Sequence, residues 1–132
     1  MTARDPTAQS AQTRRRVLVV EDEFYIAEDL ANALSAAGLE VVGPACSVSD
    51  ALRYAESADI HGAIVDINLK DELALPVTDA LLSREVPFVI TTGYDRRHLD
   101  AKHRELDCFE KPFNPAKVIA KLQEKMALKT GR

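Results

Sequence analysis

The sequence reads as an α/β fold: a doubly wound parallel sheet of five strands with helices on both faces. Two observations carry this. Short β-branched and apolar runs alternate with segments of helical period from Arg16 onward, and the polar residues of unusual type fall directly after those runs. With 132 residues, 46% of them hydrophobic and 29% charged, the chain suits one domain with its own core. No internal repeat is present.

The elements follow in order. Val17–Val20 is apolar without alternation, the mark of a strand buried on both faces. Ile26, Leu30 and Leu34, with Ala33 and Ala37, share one helix face, and Gly38 stops that helix. A second strand is expected over Leu39–Gly43, closed by Gly43-Pro44. Ser47 with Asp50 resembles a capping box, ahead of a helix whose buried face is Val48, Ala51, Leu52 and Ala55. Ala63–Asp66 makes a third strand, Pro76 the first residue of a third helix through Leu81, and Pro87–Thr92 a fourth strand. Asp95–Leu106 offers few apolar groups, so the helix there is expected to be short or mobile. Cys108–Glu110 is a brief fifth strand. Asn114 as N-cap and Pro115 then start a last helix with Val118, Ile119, Leu122 and Met126 inward.

Charge and composition exclude several classes. Arg4, Arg14, Arg15 and Arg16 against Asp5 give the first sixteen residues +3, so the remainder of a chain at −4 carries −7. An acidic body is not a nucleic-acid surface. No apolar run approaches the roughly 20 residues of a membrane span, and the first residues have no secretory pattern. A cytoplasmic protein is the expectation, with Cys46 and Cys108 as thiols. No Cys/His cluster has zinc-ligand spacing.

Ligands of open α/β sheets bind beyond the carboxyl ends of the strands. There this sequence places Glu21-Asp22, Asp66, Thr91-Thr92 and Lys111. Singly, each has an ordinary reading, as a helix cap, a strand residue or a surface amine. Together they bring carboxylates, a hydroxyl and an ammonium to one place. Clustered carboxylates repel unless a cation neutralises them, and hard oxygen donors without thiolate or imidazole suit Mg2+. A carboxylate beside such an ion can attack phosphorus, with Lys111 opposing the charge on the transferring group.

These residues carry a resemblance to the receiver domain of two-component response regulators. It covers residues 16–128, with Val-Leu-Val-Val-Glu-Asp-Glu at 17–23, Ala-Ile-Val-Asp-Ile-Asn-Leu at 63–69, Thr-Thr-Gly at 91–93 and Lys-Pro-Phe at 111–113. The resemblance implies a flavodoxin-like (βα)5 fold over residues 16–128; residues 1–15, polar and without period, read as a disordered tail, and 129–132 as a second short tail. It implies that Asp66 is the phosphoacceptor, and that Asp22, Asp66 and the backbone carbonyl of Asn68 ligate Mg2+. Glu21 would orient metal-bound water, Thr92 would be the switch hydroxyl, and Lys111 would contact the phosphoryl oxygens across a cis Lys111-Pro112 bond. A sensor histidine kinase would be the donor and a downstream protein the receiver of the signal, with neither nucleic acid nor membrane involved. Such a protein signals rather than serving as a general enzyme, although it catalyses its own phosphorylation.

Pro87–Tyr94 and Val41–Ala45 also resemble a receiver subgroup with a Pro-Phe-x-Phe-Ala-Thr-Gly-Tyr signature. Its members often stand alone, depart from the usual fourth helix and serve HWE-type kinases. Here Ile90 and Thr91 stand where the signature has Phe and Ala. Receivers often have Tyr or Phe three residues before the lysine. This chain has Cys108 there, and Phe109 beside it faces the other way, which puts the usual threonine-to-aromatic coupling in question. A phosphate-independent pseudo-receiver is the alternative reading. A small Mg2+-dependent phosphohydrolase fits less well, because Phe24 stands two residues after Asp22 where such enzymes place a second acid. A flavin carrier lacks its phosphate-cradling loop. His61 is expected to be structural or exposed and His98 and His103 to be no ligands. Cys108 reads as a small core residue and Tyr94 as a candidate partner contact. Lys70, Asp71 and Glu72 either tune phosphoryl lifetime or only solvate their loop.

Overall fold

In the computed structural model, residues 14–57, 59–70, 72–93 and 107–130 are described. Five strands form one parallel sheet: β1 (Arg16–Val20), β2 (Glu40–Ala45), β3 (Gly62–Asp66), β6 (Phe88–Thr92) and β7 (Cys108–Glu110), in the order β2-β1-β3-β6-β7. Four helices are present among the described residues: α1 (Phe24–Ala36), α2 (Val48–Ser57), α3 (Leu75–Ser83) and α4 (Pro115–Thr130). The expected doubly wound, flavodoxin-like architecture is the one observed. The expectations for residues 1–13, Tyr94, His98, His103 and the weak helix over 95–106 lie outside the described residues.

Strand alternation divides the core into two layers. Leu18, Val20, Ala63, Val65, Phe88 and Ile90 face α2 and α3, where Ala51, Ala55, Val77 and Leu81 are buried. Val17, Val19, Ile64 and Val89 face α1 and α4, meeting Leu30, Leu34, Val118, Leu122 and Met126. Each fully buried Leu, Ile or Val contributes about 1.5–3 kcal/mol relative to exposure, and both layers share the same central strands. At β7 the alternation separates Cys108, packed on the first layer, from Phe109, packed on the second. Neither cysteine forms a disulfide.

The helix ends match their sequence signals. Gly38 takes φ +82°, and the Leu39 and Gly38 N–H groups donate to the Leu34 and Ser35 carbonyls, closing α1 in a Schellman motif. The Asp50 N–H donates to Ser47 Oγ at 3.2 Å. The Asp50 carboxylate turns outward to Arg53 instead of completing a capping box. Asn114 Oδ1 accepts the Ala116 N–H at 2.9 Å.

Several details differ from the sequence reading. α3 begins at Leu75, with Pro76 second. α4 runs to Thr130. A two-strand antiparallel hairpin, β4 (Asn68–Leu69) with β5 (Glu72–Leu73), follows β3. β2 continues through Gly43-Pro44 to Ala45, with a register irregularity against β1 between Leu18 and Val20. Gly43 has φ +93°, and a Cβ there would meet the Ala45 nitrogen at 2.8 Å and the Val19 carbonyl oxygen at 3.0 Å. Both neighbours are backbone and cannot swing away. Gly43→Ala should therefore cost about 3 kcal/mol, combining left-handed strain and overpacking. A thermal melt should show a fall of roughly 10 °C; an unchanged melting temperature would mean that the bulge relaxes.

Candidate functional site

The sheet assembles its polar residues at one end. β1 releases the chain at Glu21, whose N–H donates to the Ala45 carbonyl at 3.0 Å. The register sets Val20 beside Val65, so Glu21 and Asp22 emerge next to Asp66 on the central strand. Asp66 in turn pairs with Thr91 of β6, and the Lys111 N–H donates to the Thr92 carbonyl at 2.8 Å. The Lys111-Pro112 bond is cis.

Lys111 ties the acids together. Its ammonium donates to Asp66 Oδ2 at 3.0 Å, to Glu21 Oε2 at 3.2 Å and to Glu23 Oε1 at 2.9 Å. Asp66 and Glu21 are each 1% exposed, Lys111 15% and Glu23 62%. Asp66 Oδ1 accepts the Asn68 N–H at 3.0 Å, and Asn68 Oδ1 accepts the Thr92 hydroxyl at 2.9 Å. Asp22 is half-buried and holds the hairpin turn by accepting the Lys70 N–H at 3.1 Å. Glu21, Asp66, Asn68, Thr92 and Lys111 are thus joined by hydrogen bonds, with Asp22 close beside the two buried acids, and all six were singled out from the sequence.

Its electrostatics are strained. Burial, and then the Asp66 carboxylate, push the Glu21 carboxyl from 4.5 up to about 7. Burial also raises Asp66, against the pull of the Asn68 N–H and of Lys111. For Lys111, burial works against the charge, but hydrogen bonds to Glu23 and Asp66 hold the ammonium above the ordinary lysine range. Glu21 Oε1 is buried without a hydrogen-bond partner. One carboxylate oxygen from each of Glu21, Asp22 and Asp66 lies within 4.8 Å of the others. Three hard oxygen donors and an orphaned buried carboxylate oxygen fit a divalent cation of the Mg2+ kind.

The residues left aside behave as ordinary ones. His61 sits at the opposite end of the sheet, its Nδ1 accepting the Arg16 N–H at 3.0 Å. Cys108 is half-buried on the α2–α3 side of the sheet. Glu23 had no role in the sequence reading, although it closes the first motif. Its partner lies 88 residues away, and nothing local announces the pair.

The sequence matches the family described as the response regulator receiver domain over residues 17–123. The chain belongs to that family. This receiver is 33% identical over 119 residues to the phyllosphere-induced regulator PhyR of Methylorubrum extorquens, covering 87% of this chain and 45% of PhyR. It is 29% identical to the transcriptional regulatory protein PdtaR of Mycobacterium tuberculosis, covering 89% of this chain and 59% of PdtaR. The receiver thus spans about half the length of these curated relatives. Among solved structures, SdrG of Sphingomonas melonis Fr1 superposes with a TM-score of 0.74 at 34% identity, over 86% of this receiver and 96% of SdrG. No described helix of the receiver is long and apolar enough to cross a membrane.

Proposed function

We propose that this receiver takes a phosphoryl group on Asp66 from a sensor histidine kinase, in a Mg2+-dependent reaction, and passes the signal on by protein contact. One observation carries the reading: the Asp66 carboxylate is buried at the end of the central strand, with Lys111 on one oxygen and the Glu21–Asp22 pair beside it. Asp22, Asp66 and the backbone carbonyl of Asn68 would hold the ion, with Glu21 reaching it through water. Bound there, Mg2+ supplies positive charge against the phosphoryl oxygens.

The chain's own groups account for the rest. An Asp66 oxygen forms the P–O bond as the P–N bond of the donor phosphohistidine breaks, and the bonding pair returns to the imidazole, which takes up a proton. Lys111 shifts its hydrogen bond from Asp66 to a phosphoryl oxygen. The Thr92 hydroxyl leaves Asn68 Oδ1 for another phosphoryl oxygen, and that exchange reports the new state to the β6 end. Phe24 and Tyr25, largely exposed and packed edge to face at 5.3 Å beside the site, offer contact area to a protein partner. Net charge −4 gives nucleic acid and anionic membranes no attraction.

The relatives support the same chemistry. SdrG has a solution structure in a BeF3-activated conformation, and BeF3 mimics a phosphoryl group. An HWE-type kinase as donor rests on the subgroup signature at 87–94, with its departures at Ile90 and Thr91. The test is incubation with acetyl phosphate, with and without Mg2+, followed by intact mass. One phosphoryl adduct is expected with Mg2+, and none in Asp66→Ala. No adduct from acetyl phosphate or from a kinase donor, in a folded protein, would replace this reading with that of a phosphate-independent scaffold.

A further inference from the structure

We infer that Glu23 is a positioning residue that restrains phosphorylation by competing with the incoming phosphoryl group for Lys111. The inference rests on Asp66 being the phosphoacceptor.

An ammonium has three donors, and Lys111 has all three engaged: Glu21, Glu23 and Asp66. The shortest of the three goes to Glu23. Glu21 and Asp66 are fixed where β1 and β3 end, and both are buried. Glu23 is different: it is 62% exposed and stands on the rim of the site, where its carboxylate is rehydrated at little cost when it lets go.

Local structure does not explain where its side chain goes. Glu23 occupies the N-cap position of α1, with φ −87° and ψ 119°. A polar N-cap side chain commonly accepts an N–H from the first helical turn, but Glu23 makes no such bond. It turns toward Lys111 instead, while its own N–H donates to Glu21 Oε2 at 3.1 Å. The rim carboxylate is thus braced against the buried one, and both draw on the same ammonium.

Two consequences follow for a phosphoryl donor. Glu23 adds a negative charge at the accessible edge, where the donor's anionic oxygens arrive. It also occupies a donor on Lys111 that a phosphoryl oxygen can use. Release of Glu23 into water frees that donor and removes the nearby repulsion. The resting state is therefore favoured over the loaded one by a side chain that acts through its bond to Lys111.

The experiment measures phosphorylation of the wild type, Glu23→Gln and Glu23→Ala by acetyl phosphate with Mg2+, over a range of donor concentrations and salt. Both variants should load two- to tenfold faster at low ionic strength. The gain should appear as a lower half-saturating donor concentration rather than a higher maximal rate, and should shrink in high salt as the charge is screened. Melting temperatures should stay close to that of the wild type, since Glu23 is on the surface. If the wild type loads and neither variant loads faster, the restraint is disproved while Asp66 keeps its role. If the folded wild type takes up no phosphoryl group from acetyl phosphate or from a kinase donor, the Asp66 reading falls and this one with it.

Discussion

Replacing Lys111 with methionine should lower stability by about 3 kcal/mol at pH 8, because it removes the cation from a buried ion pair and leaves its partners uncompensated. Glu21 and Asp66 are almost wholly buried and close enough to share a cation site, and among the described residues Lys111 is the cation that bonds to both. Methionine keeps the length and fills the space, so the loss reports charge rather than a cavity. The deficit should shrink as the pH is lowered toward 5, where protonation of one acid does what the ammonium did. Phosphoryl loading should also slow about a hundredfold, the usual scale for losing one charge-stabilising donor in a transfer site. Thermal melts at the two pH values read the first effect and mass-detected loading the second. A K111M protein as stable as the wild type at pH 8 would show that water already neutralises these acids.

The metal-free wild type should itself lose stability as pH rises from about 5 to 8. Glu21 titrates near 7 in the fold and at 4.5 ordinarily, so between those values the folded state binds more protons than the unfolded one. The associated stability is complete below 4.5 and gone above 7. The raised Asp66 adds in the same direction. Lys111, held above the lysine range, contributes stability that is lost only in strong alkali. Mg2+ should act as the proton does. At ten times its Kd it should add about 1.4 kcal/mol, raising the melting temperature at pH 8 and flattening the slope. Asp22→Asn should weaken the Mg2+ effect but keep the metal-free slope. A melting temperature in EDTA that is level or rising between pH 5 and 8 would refute this account.

Much of the fold was legible because it rests on patterns of type and period. Val17–Val20 and Ala63–Val65 are too apolar for a one-sided strand, and both lie in the middle of the sheet. Gly38, Ser47 and Asn114 act through bonds that span two to five positions, so their signals are local. The hairpin after Asp66 escaped notice because strands of two residues have no period to detect. Gly43-Pro44 read as a stop because proline lacks an N–H, yet β2 lies at the sheet edge, where a missing donor on the outer side disturbs no ladder. The acids, Thr92 and Lys111 could be gathered from sequence because topology sends every strand end to one rim. Glu23 could not, since its role depends on where a side chain beside β7 comes to rest.

The buried acids at 21 and 66 also separate two demands on the chain. A sequence chosen for stability alone on this backbone would place an apolar or amide side chain at both positions and would lose Oε1 of Glu21 as an orphan. Fixed-backbone design would therefore discard these residues early, and a rise in melting temperature at such a position is the expected sign of a residue kept for the proposed phosphoryl transfer rather than for stability. Selection for thermal stability on this scaffold should hold residues 21, 22, 66 and 111 constant and draw its gains from the surfaces of α1 through α4.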